Sequence, residues 1–277
     1  MCVHNFEAQF QTENQSKPTI MTTCNISVIT PVKNGIRYLD ECVQSVPANV
    51  EHLFVDGGST DGTLEALEGY SKIKPSLRYV TGKDRNAGDA WVKGLRMATG
   101  DILGWLGVDD SYTPAAIQTV LKFFNEHPIA MIAYGSCNYV DDSGKVIKTV
   151  IPKEFDTAKA RNGQCSIPCT SVFFRREILD TVKPEIIAEQ DSELGFWIAI
   201  SRKHKLYRID AVLSNFRIHD TKDRKDGFYI YAKTVYEAGK NQGLSPLSLG
   251  SLRYYVAWLL KPLSFVIDPI FLAVVRR

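Results

Sequence analysis

The 277-residue sequence has no excess of either charge: 33 Lys and Arg stand against 31 Asp and Glu, a net charge of +2. A protein that grips nucleic acid by bulk charge would be far more basic, so nucleic acid is excluded as a partner of that kind. No G-x-G-x-x-G follows the first predicted strand and no G-x-x-x-x-G-K-[ST] occurs, which excludes dinucleotide and P-loop chemistry. The six cysteines (Cys2, Cys24, Cys42, Cys137, Cys165, Cys169) are scattered. Cys165 and Cys169 form a lone C-x3-C without a second pair or a His at ligand spacing, which argues against a zinc site. No apolar signal peptide opens the chain, so the expectation is a reducing cytosol and free thiols. Internal repeats and low-complexity tracts are also missing.

What is there is a rhythm. "ISVIT" (26–30), "HLFVDGG" (52–58), "LRYVTG" (77–82) and "DILGWLGVDD" (101–110) read as buried strands, the last ending in acid. Between them, "RYLDECVQSV", "TLEALEGYSKI" and "AWVKGLRMA" carry helical spacing. The alternation argues for a parallel sheet covered by helices on both faces. Thr113-Pro114 predicts a helix start, with Thr as N-cap and Pro at the first position. Farther on, 131–140 and 171–177 read as strands, "SELGFWIAISRKH" as a helix and 206–219 as a hairpin, without strict alternation. The expected organisation is a loose tail over 1–24, one catalytic domain over 25–245 (halves 25–112 and 113–222), and an apolar segment over 246–277. In that segment, "YYVAWLLKPLSFVIDPIFLAVVRR" (254–277) contains Lys261, Asp268, Pro262 and Pro269. Those four residues make it a poor spanning helix, and a segment lying in the membrane interface fits better than a hairpin packed on the core.

Ligands of open parallel sheets bind beyond the carboxyl ends of the strands. The loops there read "TPVKNG", "DGGSTDG", "GKDRNAGD" and "DDSYTP". In "VDGGSTDGT" (55–63), Asp56 has two open roles: bonding the amides of its own turn, or accepting hydrogen bonds from a base or ribose. Ser59, Thr60 and Asp61 are expected to cap the next helix. Asp109 and Asp110 repel each other, and either a solvated acidic turn or a divalent cation relieves the pair. Asp84-Arg85 is either a surface ion pair or a phosphate contact. Asp191 is a helix-start acid by itself. His219, with Lys222 nearby, is either a structural histidine or a ligand.

Taken together, "SVITPVKNGIRYLDECVQSV", "VDGGSTDGT", "DRNAGDAWVKGLRMATGDILGWLGVDD", "YGSCNYVDDSGKV", "FFRRE" and "DAVLSNFRIHDTK" resemble an inverting family 2 glycosyltransferase of GT-A type. The resemblance spans about residues 26–222, and the order of the motifs makes it specific. It implies the GT-A fold, a Rossmann-like, mostly parallel sheet with helices on both faces and a mixed acceptor-side subdomain. It also implies a UDP-, GDP- or dTDP-linked sugar donor, Mg2+ or Mn2+, and a carbohydrate or lipid-linked acceptor hydroxyl. Thr30, Pro31 and Asp56 would then hold the nucleoside with Asp84, Arg85 and Asp109. Asp110, Asp109 and His219 would form the metal set. Asp191 would be the general base, with Glu193 or Glu189 as stand-ins. Surface polysaccharide or lipid-linked oligosaccharide synthesis, at the inner face of the cell membrane, would be the setting.

Three positions depart from the family pattern. Gly107 replaces an Asn or Asp before the acidic pair, and Gly195 and Trp197 replace an aromatic and an Arg after Asp191. They motivate the alternative of a nucleotide-sugar-binding or scaffold protein of the same fold that lacks turnover. A sugar-nucleotide pyrophosphorylase would need a glycine- and arginine-rich loop after the first strand, which is missing.

Overall fold

A computed structural model of the protein describes residues 24–190, 193–219, 227–240 and 243–260. Strands β1 (Ile26–Val32), β2 (Glu51–Asp56), β3 (Leu77–Thr81) and β4 (Ile102–Trp105) pair in parallel in the order β3-β2-β1-β4. Helices α1 (Ile36–Ser45), α2 (Thr63–Ile73) and α3 (Ala87–Met97) are the crossovers. β1 and β2 are buried almost throughout, as strands covered on both faces must be. Successive residues feed opposite cores. Val28 and Phe54 pack on one side with α1, while Ile29 and Leu53 pack on the other with α3. The helices obey the complementary period, α1 burying Leu39, Cys42 and Val43.

The register places Val32 opposite Asp56 and Asp56 opposite Thr81. Three strands therefore end level, and the loops that follow share one rim. β4 stops at Trp105, short of the predicted strand over 101–110. The acidic pair lies in a turn beyond it, followed by the two-residue β5 (Ser111–Tyr112). Two adjacent carboxylates are poor strand formers, and the chain turns before reaching them.

The sheet continues through β8 (Val172–Arg175), β6 (Ile132–Val140), β9 (Leu206–Arg217) and β5, with β7 (Val146–Val150) paired to β6. β8 is antiparallel to both β4 and β6, whereas β9 is parallel to β6. The predicted hairpin over 206–219 is instead this one long strand. Between Tyr134 and Ser136 the partner advances from Arg208 to Val212, so a bulge absorbs the residues that read as a turn. α4 (Ala116–Glu126) also starts later than predicted. The Thr113 hydroxyl donates to the Val212 carbonyl (2.8 Å) instead of capping the helix.

α5 (Thr157–Arg161), α6 (Ile178–Thr181), α7 (Glu185–Gln190) and α8 (Leu194–Ser201) belong to this second half of the sheet's surroundings, and α9 (Gly227–Lys240) and α10 (Leu249–Leu260) follow. Tyr236 and Tyr254 stack at 4.3 Å between the last two helices. α10 turns small residues inward (Gly250, Ser251, Ala257) and leaves Leu252, Trp258 and Leu259 more than half exposed. Among the described residues no helix is long and apolar enough to cross a membrane. Residues 261–277, most of the segment expected at a membrane interface, lie outside the described residues, as do 1–23 of the expected tail.

Candidate active site

The loops after β1 and β2 are sewn together by side chains. The Asn34 amide N–H donates to the Ser59 hydroxyl (2.8 Å), and the Thr60 N–H donates to Asn34 Oδ1 (2.8 Å). Asp61 accepts the Thr63 N–H at the start of α2 (3.1 Å) and the Ile36 N–H at the start of α1 (3.1 Å). Of the three predicted capping residues, only Asp61 reaches an amide of α2, and it serves a second helix as well. Ser59 and Thr60 are spent on Asn34.

Asp56 is fully buried. Its carboxylate accepts the Gly58 N–H (3.1 Å), the Ser59 N–H (3.2 Å) and the hydroxyls of Ser59 and Thr81, the last at 2.6 Å. Burial raises its pKa, but these hydrogen bonds prevail and hold it below the usual carboxylate range. Thr30 is buried beside it in β1, its hydroxyl 3.0 Å from His52 Nε2, and Pro31 is partly exposed at the same strand end. Asp84 and Arg85 stand in the next loop but do not pair with each other. Asp84 bonds Lys93 (2.7 Å), and Arg85 makes a two-pronged pair with Asp89 (2.7 and 2.6 Å). With Glu185 and Glu189 they line a cavity of about 660 Å³, and Asp84 Oδ2 is buried there with no hydrogen-bond partner among the described residues.

The acidic turn closes the rim. Leu106 N–H still bonds Ile29 O (2.9 Å), and Asp110 N–H then folds back to Gly107 O (3.0 Å). A Cβ on Gly107 would lie 2.7 Å from both Asp109 Oδ1 and Asp110 Oδ2. Both carboxylates thus converge on the space a side chain would fill, which gives the departure at Gly107 its physical reason. His219 Nε2 is 3.0 Å from Asp109 Oδ2, and Asp110 Oδ1 accepts the Arg217 N–H (2.8 Å). Two neighbouring ligands on one cation, each about 2.1 Å from it, also stand about 3 Å apart. Oxygen donors with one imidazole suit Mg2+ or Mn2+. Among the described residues no three such side chains gather closely enough to hold an ion by themselves.

The structure pairs Asp109 with His219 and sets Asp110 beside Asp109 over Gly107, has Thr30, Pro31 and Asp56 on the adjoining strand ends, and puts Asp84 and Arg85 in the neighbouring cavity. Asp191 lies outside the described residues. Its stand-in Glu189 faces the cavity, while Glu193 precedes α8 and gives its carbonyl to Trp197 N–H (3.0 Å). Gly195 and Trp197 are core residues. Trp197 packs 4.7 Å from Trp105 and 5.4 Å from Phe196, so their departure from the pattern is a matter of packing. Sequence reasoning missed Arg217, Glu41 and Tyr38. Arg217 is buried and paired with Glu41, and the Tyr38 ring lies 5.0 Å from that of His219.

Comparison with known proteins bears on the family and the fold. A Bacillus subtilis glycosyltransferase named for teichuronic acid biosynthesis, TuaG, is 28% identical over 201 residues, 70% of this chain and 79% of that protein. An uncharacterized glycosyltransferase of Rickettsia conorii is 27% identical over 74% of this chain, which spans only 35% of that longer relative. The crystal structure of S. aureus TarS 1–349 with UDP-GlcNAc superposes with a TM-score of 0.61 at 14% identity, covering 84% of this chain and 72% of that one. The mannosyltransferase PcManGT of Pyrobaculum calidifontis, solved with GDP-Man and Mn2+, gives a TM-score of 0.54 at 16% identity over 91% and 79%. Residues 27–183 match the family model for glycosyl transferase family 2, more than half of the sequence, and the chain is therefore a member of that family, with the GT-A fold.

Proposed function

We propose that this glycosyltransferase moves a sugar from a UDP-, GDP- or dTDP-linked donor to a hydroxyl of a carbohydrate or lipid-linked acceptor, with inversion. One observation carries the reading: beyond β4, at the rim where three parallel strands end, the Asp109 and Asp110 carboxylates turn to one space over Gly107 and Asp109 is joined by His219. Asp110, Asp109 and His219 would hold Mg2+ or Mn2+, ions that favour such oxygen donors. When bound, that ion supplies charge neutralisation for the departing diphosphate. Thr30 and Pro31 form the wall under the nucleoside. Asp56 fixes the loop that borders the nucleoside, Asp109 receives its hydroxyl donors, and Asp84 and Arg85 close the far side. Asp191 takes the proton of the acceptor hydroxyl as its oxygen attacks the anomeric carbon from the face opposite the leaving group. One displacement then inverts the centre, with residues 25–112 presenting the donor and 113–222 the acceptor.

The structures of TarS with UDP-GlcNAc and of PcManGT with GDP-Man and Mn2+ support the donor class and the metal. The name of the Bacillus relative supports a role in a surface polysaccharide. The outward apolar face of α10 supports peripheral contact with the inner face of the cell membrane. The test is transfer from UDP-, GDP- and dTDP-sugars with Mn2+, with the anomeric configuration of the product read by NMR. Retention of configuration would overturn the mechanism. Transfer undiminished in Asp110→Asn would overturn the metal assignment.

A further inference from the structure

Arg217 ends β9 with 2% of its surface exposed. A guanidinium without water must find partners for its donors inside the protein. Its Nε donates to the carbonyl of Asp109 (3.0 Å), and Nη1 to the carbonyls of Asp141 (3.1 Å) and Asp142 (3.0 Å). Nη2 pairs with the Glu41 carboxylate, and the guanidinium lies 5.2 Å from the centre of the Tyr38 ring. The same residue's main-chain N–H donates to Asp110 Oδ1 (2.8 Å). One residue therefore holds the acidic turn at two points, the carbonyl of Asp109 and the carboxylate of Asp110. The grip extends to the turn of the β6–β7 hairpin and to α1. Through Tyr38, whose ring adjoins that of His219, it reaches the third member of the cluster.

A counter-charge alone would not need this arrangement. A Lys would supply the charge, but its ammonium is a point donor and cannot meet three carbonyls and a carboxylate spread around a plane. The fork geometry is the part that Arg alone provides.

We propose that Arg217 is a positioning residue: it fixes the Asp109–Asp110 turn so that both carboxylates face the space over Gly107 before any substrate arrives, touching neither ion nor donor itself. The proposal rests on the reading that the acidic turn holds a divalent cation.

The test uses the full chain with Mn2+ as the probe, alone and with UDP, GDP or dTDP, the free ion being followed by electron paramagnetic resonance. Arg217→Lys keeps the charge and loses the fork. It is expected to melt cooperatively, yet to bind Mn2+ at least about tenfold more weakly, as loss of a supporting partner does to metal sites. Glu41→Gln, at a half-exposed position, removes one anchor of the guanidinium and is expected to weaken Mn2+ binding about threefold. Arg217→Lys with a lower Tm and unchanged Mn2+ affinity would make the residue structural only and overturn the proposal. If Arg217→Lys does not fold, unchanged affinity in Glu41→Gln overturns it. Wild-type protein that binds no Mn2+ with any of the three nucleotides overturns the functional reading itself, and this proposal with it. The wild type alone tells that failure apart from the others.

Discussion

Gly107 and Asp109 share a space that only one side chain can fill: a Cβ on Gly107 would meet Asp109 Oδ1 at 2.7 Å. Asp110 Oδ2 stands at the same distance, so any larger residue must push both carboxylates aside. These are short, movable side-chain ends, and the fold can yield there. Gly107→Ala is expected to leave Tm nearly unchanged while metal-dependent turnover falls roughly 10²-fold, the cost of a misplacement near 1 Å. Initial rates against Mn2+ concentration check it; normal kinetics would show that the convergence of the two carboxylates is not needed.

Gly88 makes the opposite case, because its neighbours are backbone. A Cβ there would lie 2.5 Å from Ile187 O and 2.7 Å from Ala188 Cα, and Asn86 Nδ2 donates to Ala188 O (2.9 Å). α3 and α7 are thus locked together next to residue 191. Gly88→Ala should cost about 1–3 kcal/mol of stability by overpacking. It should also lower kcat more than donor affinity, since the acceptor side moves. Urea melts and a kcat-against-KM comparison measure the two effects.

Burial, with repulsion from Lys74 second, pushes His52 well below 6.5, so it is neutral in the fold beside Thr30. The unfolded chain takes up a proton at this position as the pH falls through about 6.5, and the folded chain does not. The stability His52 contributes is therefore complete above that pH and is lost on acidification below it, by up to about 1.4 kcal/mol per pH unit. His52→Gln should flatten the curve of unfolding free energy between about pH 6.5 and 5.5. A curve as steep as that of the wild type would contradict the assignment.

Asp191→Asn is expected to reduce kcat by about 10²- to 10⁴-fold, the usual yield of a general base, with the donor Kd unchanged. Glu189→Gln, altering a cavity wall, should have a much smaller effect. Isothermal titration with the donor separates binding from chemistry, and a fully active Asp191→Asn would remove the base from the mechanism.

Leu252, Trp258 and Leu259 replaced together by Ser should weaken binding to vesicles. Losing three partly exposed apolar side chains forfeits roughly 3 kcal/mol, or about a hundredfold in partitioning. Co-sedimentation with anionic liposomes is the measurement. Equal pelleting of variant and parent would leave α10 without a membrane role.

The first half of the fold was legible because local rules and tertiary structure agree there. Buried strands such as 26–30 and amphipathic helices such as α1 announce themselves by period, and the rim follows from the strand ends. The second half was less legible. A bulge in β9 looks like a turn to any local reading, since Asp210 and Ala211 break the alternation without breaking the strand. Thr113 failed as a cap for a similar reason, because its hydroxyl is claimed by Val212, 99 residues away in sequence. At the site, acids and glycines at strand ends could be located from spacing, but Arg217 could not, since its importance lies in five contacts with distant segments. Local chemistry names the groups that face a ligand, and topology chooses those that hold them still.

The seam between the first two loops bears on how this protein could be rebuilt. Asp61 caps two helices at once and Asn34 holds both Ser59 and Thr60, so the loops form one exchangeable cassette instead of two. A chimera that takes residues 57–62 from a relative without its matching partner at position 34 inherits one half of a lock. Donor preference should therefore transfer between such enzymes only when both loops travel together.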